Sequence, residues 1–162
     1  LDARPVVFAL SNPTSKCECT AQQAIESTGG RVLFASGSPM PPVTYTSQTT
    51  GVKRTVVTGQ GNNAYVFPAI GLGVLVSGAR TVTEAMFLTA AETLAACVND
   101  EELRTGLLYP SFDRIRTISD VVAEAVADVA FQSGQATYQR PDDLLSFIAS
   151  ITYTPRYKSF AS

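Results

Sequence analysis

Histidine and tryptophan are absent from this sequence, and cysteine is scarce. Without histidine, the chain cannot by itself supply a Ser-His or Cys-His catalytic pair or a histidine metal ligand. The three cysteines, Cys17, Cys19 and Cys97, are odd in number and lack CxxC spacing, which excludes a disulfide framework and a zinc site. We expect reduced thiols and therefore a reducing, intracellular compartment, with cytoplasm, mitochondrion and other organelles equally open.

Charge is the other scarcity. Charged residues make up 16% of the 162 positions, and 12 Lys and Arg against 14 Asp and Glu leave a net charge of −2. A pI near 5.1 without a Lys/Arg cluster excludes a nucleic-acid partner, and 45% hydrophobic residues exclude disorder. Soluble domains carry about 25% charged residues, so we expect part of the surface to face more protein.

The apolar segments are short. The longest, Ala64–Val76, contains Pro68 and is too short to span a membrane, so no membrane partner is expected. The first ten residues resemble a strand rather than a signal peptide, and no Met begins the chain. We therefore expect a piece of a longer protein.

Two strands with a helix between them are predicted first. The runs Val6–Leu10 and Val32–Ala35 are typical of strands buried on both faces. Thr20 and Gln23 have capping-box spacing, so a helix should begin there and end near Gly29–Gly30. This order predicts a βαβ unit with parallel strands, and hence an α/β fold.

The remainder is predicted to be mainly helical, after a polar hairpin or loop excursion that includes Val43–Tyr45 and Thr55–Val57. The uncharged segment Tyr65–Ser77 should form a central helix that is hydrophobic all round. Periodic apolar residues or capping signals predict three more helices: Thr83–Val98, Asp113–Ser133 followed by Gly134, and a short helix from Pro141. The tail Tyr153–Ser162 has no periodicity and is predicted to lack regular structure.

Three polar loops form the candidate site. The loops Ser11–Thr14 and Ser36–Pro39 directly follow the predicted strands, so they should lie at the carboxyl edge of the sheet, where open α/β sheets bind ligands. The third loop, Gly59–Asn63, precedes the apolar helix, whose free N–H groups favour an anionic group.

Asparagines are the chemically informative residues of these loops. The amides of Asn12, Asn62 and Asn63 can donate to a carboxylate or carboxamide and accept from a hydroxyl without taking charge. The alternative is that each loop is a plain turn and that these side chains only cap helices or close Asx turns.

Other constellations are weaker. Gly59, Gly61 and Ala64 fit a relaxed dinucleotide fingerprint, but no second strand is predicted after the helix, so we do not assign a pyrophosphate loop. The segment Asp100–Glu102 is interpreted as a solvated helix start. The remaining helical carboxylates fall on exposed stripes: Glu84, Glu92, Glu124 and Asp128. No acid/base pair or metal-ligand set is predicted within this chain.

Several motifs together are similar to one family. The chain resembles the long-form malic enzymes in RPVVFALSNPT from Arg4 to Thr14, in ECTA from Glu18, in FASGSP from Phe34, in GQGNNAYVFP from Gly59, and in LLYP from Leu107. The resemblance runs in order from Arg4 to about Tyr157. The connection between FASGSP and GQGNN, around 44–55, is longer than is usual in the family. Pro41–Pro42 stands where the family more typically has Asp-Pro or Gly-Pro.

The resemblance implies the fold, the reaction and the site. It implies the end of a Rossmann-like NAD(P)-binding domain over residues 1–80 and a helical C-terminal region over 81–162. Malic enzymes oxidise L-malate with NAD or NADP and decarboxylate the product to pyruvate with Mg²⁺ or Mn²⁺. Asn12 and Asn62 would bind substrate, while Asn63 and Ser11 would lie at the cofactor.

The resemblance also implies what lies elsewhere. The family's catalytic Tyr and Lys, its metal ligands and its phosphate loop precede this segment, so no catalytic or metal residue is assigned here. We expect the segment alone to be inactive, to lack measurable NAD affinity, and to self-associate or expose an apolar patch. Its partners would be the rest of a malic enzyme chain and, in the parent, a homo-oligomer. The alternative is a non-catalytic interaction or regulatory module with a similar fold.

Overall fold

A computed structural model describes residues 4–155. Strand β1 (Val6–Ala9), helix α1 (Ala21–Ser27) and strand β2 (Leu33–Ser36) form the predicted βαβ unit. The two strands are parallel, with Val6 opposite Leu33 and Ala9 opposite Ser36. The α/β assignment is confirmed.

Local sequence signals place α1 as predicted. Thr20 and Gln23 form a capping box: the Gln23 N–H donates to Thr20 Oγ1 at 3.1 Å, and the Thr20 N–H donates to Gln23 Oε1 at 2.9 Å. After the helix, Gly29 and Gly30 adopt positive φ angles of 61° and 81°, which glycine reaches without a Cβ penalty. The helix buries Ala21, Ala24 and Ile25.

The prediction that β1 is buried on both faces is wrong. Val6 is 58% exposed and Phe8 is 49% exposed, whereas Ala9 is 1% exposed and packs in the same cluster as α1. Successive side chains of a strand point to opposite faces. Helix α1 covers one face of β1, and no described element covers Val6 and Phe8 to a similar extent.

Two further pairings complete the strands. The predicted hairpin is present as β3 (Val43–Thr46) and β4 (Lys53–Val56), an antiparallel pair with Val43 opposite Val56. A short strand that the sequence did not predict, β5 (Gly59–Gln60), pairs parallel with β2 and gives the sheet the order β1-β2-β5.

Five helices follow, and the described part of the predicted helical region agrees with the sequence. They are α2 (Phe67–Ser77), α3 (Glu84–Ala96), α4 (Asp100–Thr105), α5 (Ile115–Gln132) and α6 (Leu144–Ile151). Helix α5 is central, because its stripe Ile118, Val122, Val126 and Ala130 is at most 3% exposed. The last part of the predicted tail, residues 156–162, lies outside the described residues.

Helix α2 is not buried all round, contrary to expectation. Ala69, Gly73 and Val76 are buried, but Phe67 is 69% exposed and Leu75 is 72% exposed. The buried side faces α5, which is the neighbour α2 contacts most extensively. The opposite side therefore presents large apolar side chains that nothing in the described part of the chain covers.

Two glycines of α2 give a matched stability prediction. A Cβ on Gly73 would come within 2.7 Å of the Ala123 carbonyl oxygen and 2.9 Å of Val126, so Gly73→Ala must push α2 away from α5. We expect it to lower the free energy of unfolding by about 2 kcal/mol, a typical overpacking cost. Gly71 has no atom within 4 Å of the corresponding position, and Gly71→Ala should raise stability by about 1 kcal/mol through helix propensity.

Urea denaturation of the unsubstituted protein, Gly73→Ala and Gly71→Ala measures both changes in the free energy of unfolding. Equal destabilisation by the two substitutions would contradict the close approach of α2 to α5 at Gly73.

Candidate functional site

The three polar loops meet at the carboxyl edge of the sheet. The Gly37 N–H donates to the Ala9 carbonyl at 3.0 Å, and the Gly61 N–H donates to the Ser36 carbonyl at 2.8 Å. Each bond continues the strand pairing one step into the loops. The strands thereby bring the three polar loops together. The sequence predicts this edge for the first two loops, and the third loop reaches it through β5.

Asn12 is held by the second loop. The Ser38 hydroxyl hydrogen-bonds Asn12 Oδ1, and the Asn12–Pro13 peptide bond is cis. A Cβ on Gly37 would lie 2.3 Å from the Leu10 carbonyl oxygen and 3.0 Å from Asn12 Nδ2, so only glycine permits this approach. Asn12 is exposed, and its Nδ2 makes no hydrogen bond to any residue from 4 to 155.

Asn62 has a structural role and still keeps a free donor. Its Oδ1 accepts a hydrogen bond from the Ala64 N–H at 2.9 Å and so caps the 3-10 turn Asn63–Tyr65 that leads into α2. Within the described residues its Nδ2 donates to nothing. The alternative that Asn62 only caps a helix is therefore correct for its side-chain oxygen, while its side-chain nitrogen is available to a ligand.

The two residues assigned to the cofactor differ in their surroundings. Asn63 is exposed at the start of the 3-10 turn. Ser11 is already engaged: its hydroxyl donates to Glu18 Oε1 at 2.6 Å, and its N–H donates to Glu18 Oε2 at 3.3 Å. The Ser11 hydroxyl, aided by the backbone N–H groups of Glu18 and Ser11, holds the pKa of the Glu18 carboxyl below its ordinary value. Glu18 is therefore ionised at neutral pH and fixes the first loop.

A cavity of about 390 Å³ lies beside the third loop. Asn62 and Asn63 line it together with apolar groups, which include Phe8, Leu10, Leu94 and Tyr109. Asn12 and Ser11 do not line this cavity. The structure therefore brings Asn62 and Asn63 to one apolar recess, and it places Asn12 at the same sheet edge beside Ser38.

The buried Tyr65 and two neighbouring aromatic side chains support this loop, and the sequence did not single them out as functional. Tyr65 stacks on Tyr109 with ring centroids 5.9 Å apart and meets the edge of Phe112 at 5.4 Å. Its hydroxyl donates to the Pro110 carbonyl at 2.6 Å. Burial, and secondarily Glu102, raises the pKa of Tyr65 to about 12, against the opposing effect of Arg114. Tyr65 stays protonated and anchors the start of α2.

The prediction that the start of α4 is solvated is wrong for Glu102, which is 9% exposed. Arg114 Nη2 lies 2.8 Å from Glu102 Oε1 and 2.7 Å from Oε2, and the N–H groups of Asn99 and Ser111 donate at 2.9 and 2.8 Å. Burial raises the pKa of this carboxyl, but the two backbone donors and Arg114 outweigh burial and leave the pKa below its ordinary value. The sequence could not show this because the two partners approach only after the chain turns between α4 and α5.

The described residues do not provide a metal site or a phosphate loop. From residue 4 to residue 155, no group of three or more Cys, Asp and Glu side chains could hold a metal ion. After α2 the chain enters α3 without an intervening strand, so the Gly59–Ala64 fingerprint lacks the second strand that dinucleotide binding requires. None of the helices in this range is long and apolar enough to cross a lipid bilayer.

Comparisons with known proteins agree on one family. Residues 1–131 match the family described as "Malic enzyme, NAD binding domain". The chain is 48% identical over 154 residues to the NADP-dependent malic enzyme of Dictyostelium discoideum, covering 95% of this chain and 27% of that protein. It is 46% identical over 155 residues to the NADP-dependent malic enzyme of Homo sapiens, covering 95% and 26%.

The fold is also similar to solved structures. The malic enzyme from Pyrococcus horikoshii superposes with a TM-score of 0.66 and 25% identity, covering 91% of this chain and 29% of that one. The Entamoeba histolytica malic enzyme has a similar fold, with a TM-score of 0.70 at 23% identity over 91% of this chain and 26% of that chain. The chain thus spans about a quarter of the length of the curated relatives it matches. By the family match and the order of the motifs at the sheet edge, this chain belongs to the malic enzyme family.

Proposed function

We propose that this chain is part of an enzyme that oxidatively decarboxylates L-malate to pyruvate and CO₂ with NAD(P)⁺ and Mg²⁺ or Mn²⁺. The observation that carries the proposal is the meeting of the three polar loops at one sheet edge in a member of this family. Several relatives are named NADP-dependent, which favours NADP over NAD.

Substrate binding is assigned to Asn12 and Asn62. Each carries an amide nitrogen that no described residue uses, so each can donate to a malate carboxylate or hydroxyl. Asn62 Oδ1 holds the Ala64 N–H at 2.9 Å, which fixes the direction of the donor. The two asparagines contribute by orienting malate. Holding a substrate in the reactive geometry speeds up its reaction even when the groups that hold it transfer no proton.

Cofactor contact is assigned to Asn63 and Ser11. When bound, the nicotinamide accepts the hydride from C2 of malate. Asn63 would contact it from the rim of the apolar cavity, and Ser11 would contribute through a backbone that Glu18 holds in place. The described residues do not fit a metal ion, so we assign Mg²⁺ or Mn²⁺ to groups outside them and derive no step through it.

The wider organisation is proposed on the same basis. Residues 1–80 would end the NAD(P)-binding domain and 81–162 would form a helical region packed on it, in a parent that forms a homo-oligomer. All three cysteines are free thiols, which suits a reducing compartment. The names of the relatives include a chloroplastic enzyme of Flaveria pringlei and a mitochondrial one of Mus musculus, so the organelle is not common to the family.

A paired assay tests the proposal. The longest chain that the gene encodes and residues 1–162 alone are each given L-malate, NADP⁺ and Mg²⁺, and NADPH and pyruvate are measured. We expect turnover by the long chain and none by residues 1–162, which hold no metal cluster among their described residues. We also expect no NAD binding by calorimetry and self-association by light scattering for the short chain, because Phe67 and Leu75 are exposed.

The contrary outcomes are distinct. A long chain that folds but shows no turnover would favour the alternative, a non-catalytic module of similar fold. Micromolar NAD binding by a strictly monomeric short chain would contradict the assignment of the phosphate-binding groups to other parts of the enzyme.

A further inference from the structure

A second recess lies at the opposite edge of the sheet from the asparagines. It is bounded by residues that precede the strands: Arg4 before β1, Val32 before β2 and Thr58 before β5. Its volume is about 300 Å³, and it shares Arg4, Arg54 and Arg104 with a neighbouring recess of about 360 Å³. We call the two together the arginine cleft.

The charge of the cleft is of one sign. Arg4, Arg54 and Arg104 line both recesses and Arg31 lines the outer one, while no Asp or Glu between residues 4 and 155 lines either. The two ion pairs between described residues involve Arg114 and Arg140, so none of the cleft arginines is neutralised by a carboxylate of that part of the chain. Four positive charges therefore face one cleft in a chain whose net charge is −2.

The guanidinium ends are available to a ligand. Arg4, Arg31 and Arg104 each use Nε to donate to a backbone carbonyl, at 3.3, 3.1 and 3.0 Å. Their terminal nitrogens, and the whole guanidinium of Arg54, make no hydrogen bond within residues 4–155. These Nε bonds fix the side chains and leave the planar forks that bind phosphate in bidentate fashion.

The inner recess adds an unpartnered hydroxyl and an apolar wall. Thr58 Oγ1 is buried, lines this recess and has no hydrogen-bond partner among the described residues. A buried polar atom without a partner costs free energy, which a bound acceptor would recover. Ile25, Phe34 and Val56 form the wall, and such surroundings strengthen electrostatic attraction.

We propose that the arginine cleft binds a small anion carrying two or more phosphate groups. A single carboxylate would neutralise one of the guanidinium groups, whereas a polyphosphate spreads several negative charges over forks on both recesses. The inner volume lies at the lower end of the range of roughly 300–1,000 Å³ for small-molecule sites. The site is separate from the asparagine edge and does not rest on the proposed reaction.

Calorimetric titration of the longest encoded chain with inorganic pyrophosphate tests the proposal. We expect saturable binding, weakened by salt, with the dissociation constant raised at least 10-fold by Arg54→Gln and by Arg104→Gln. Arg54→Lys, which keeps the charge and loses the fork, should give an intermediate value. Arg80→Gln is the matched control, because Arg80 is exposed and lines neither recess.

Other outcomes overturn the proposal. They are no saturable binding of pyrophosphate, an equal loss in the Arg80 control, or succinate binding as tightly as pyrophosphate, which would indicate a dicarboxylate site. If pyrophosphate does not bind and Arg54→Gln lowers the melting temperature without any added anion, the cleft holds an acidic protein segment instead. The circular dichroism spectrum of each variant is recorded first, so that an unfolded Gln variant is recognised, and the Lys variant at the same position then takes its place.

Discussion

Replacing Asn62 with serine should raise the KM for L-malate about 10- to 100-fold, lower kcat and leave the dissociation constant of NADP unchanged. The magnitude corresponds to one lost hydrogen bond to a charged group, about 1.5–3 kcal/mol. Serine can still accept the hydrogen bond that Ala64 now donates to Asn62, because both residue types cap helices well. The substitution thus removes the amide donor while keeping the cap.

Steady-state kinetics on the longest encoded chain, with fluorescence titration of NADP, make the measurement. Gln132→Ala is the control, because Gln132 is an exposed amide at the end of α5, far along the chain from the polar loops. Unchanged malate kinetics in the Asn62→Ser enzyme would contradict the assignment of Asn62 to substrate. A parallel loss of NADP affinity would instead place Asn62 at the cofactor.

Replacing Glu102 with alanine should lower the free energy of unfolding by about 3 kcal/mol. The change leaves the N–H groups of Asn99 and Ser111 and the Arg114 guanidinium without their shared acceptor. Breaking a buried ion pair costs about 3–5 kcal/mol, and the 42% exposure of the Arg114 side chain places the loss at the lower end. Urea denaturation measures it, with Glu101→Ala as an exposed neighbouring control on α4.

The same carboxyl predicts a pH dependence. Its pKa is lower in the folded chain than in the unfolded one, so the unfolded state binds more protons as the pH falls. The stabilisation is complete above the unfolded value, near pH 4.5, and is lost as the pH falls through the folded pKa. Glu102→Ala should therefore lose less stability than the parent protein between neutral pH and pH 3. Parallel stability curves for the two proteins would contradict the role of Glu102.

Local elements were predictable because their signals are local. The Thr20–Gln23 capping box and the left-handed turn at Gly29–Gly30 bound α1 in both sequence and structure, and the apolar runs around it gave the parallel pair β1–β2. Strand β5 was missed because Gly59–Gln60 has no apolar pattern. It forms a strand only because β2 offers it an unpaired edge.

Burial was harder to predict than secondary structure. An uncharged helix such as α2 has no stripe to indicate which side is covered, and only the packing of Gly73 against Ala123 and Val126 decides it. Phe8 and Glu102 were misjudged in opposite directions for the same reason. The exposure of each depends on a distant segment. Phe8 is exposed because no described element covers the second face of β1, and Glu102 is buried because Arg114 packs against α4.

By itself the sequence determined the α/β class, the approximate positions of the helices, the hairpin and the placing of the Asn12 loop after a strand, because each depends on neighbours a few residues away. The tertiary structure alone decided that Asn62 shares a cavity with Asn63 but not with Asn12, that Glu102 is buried against Arg114, and that four arginines face one cleft at the other end of the strands. Those facts depend on groups far apart in the chain, which meet only when the strands align and the helices pack.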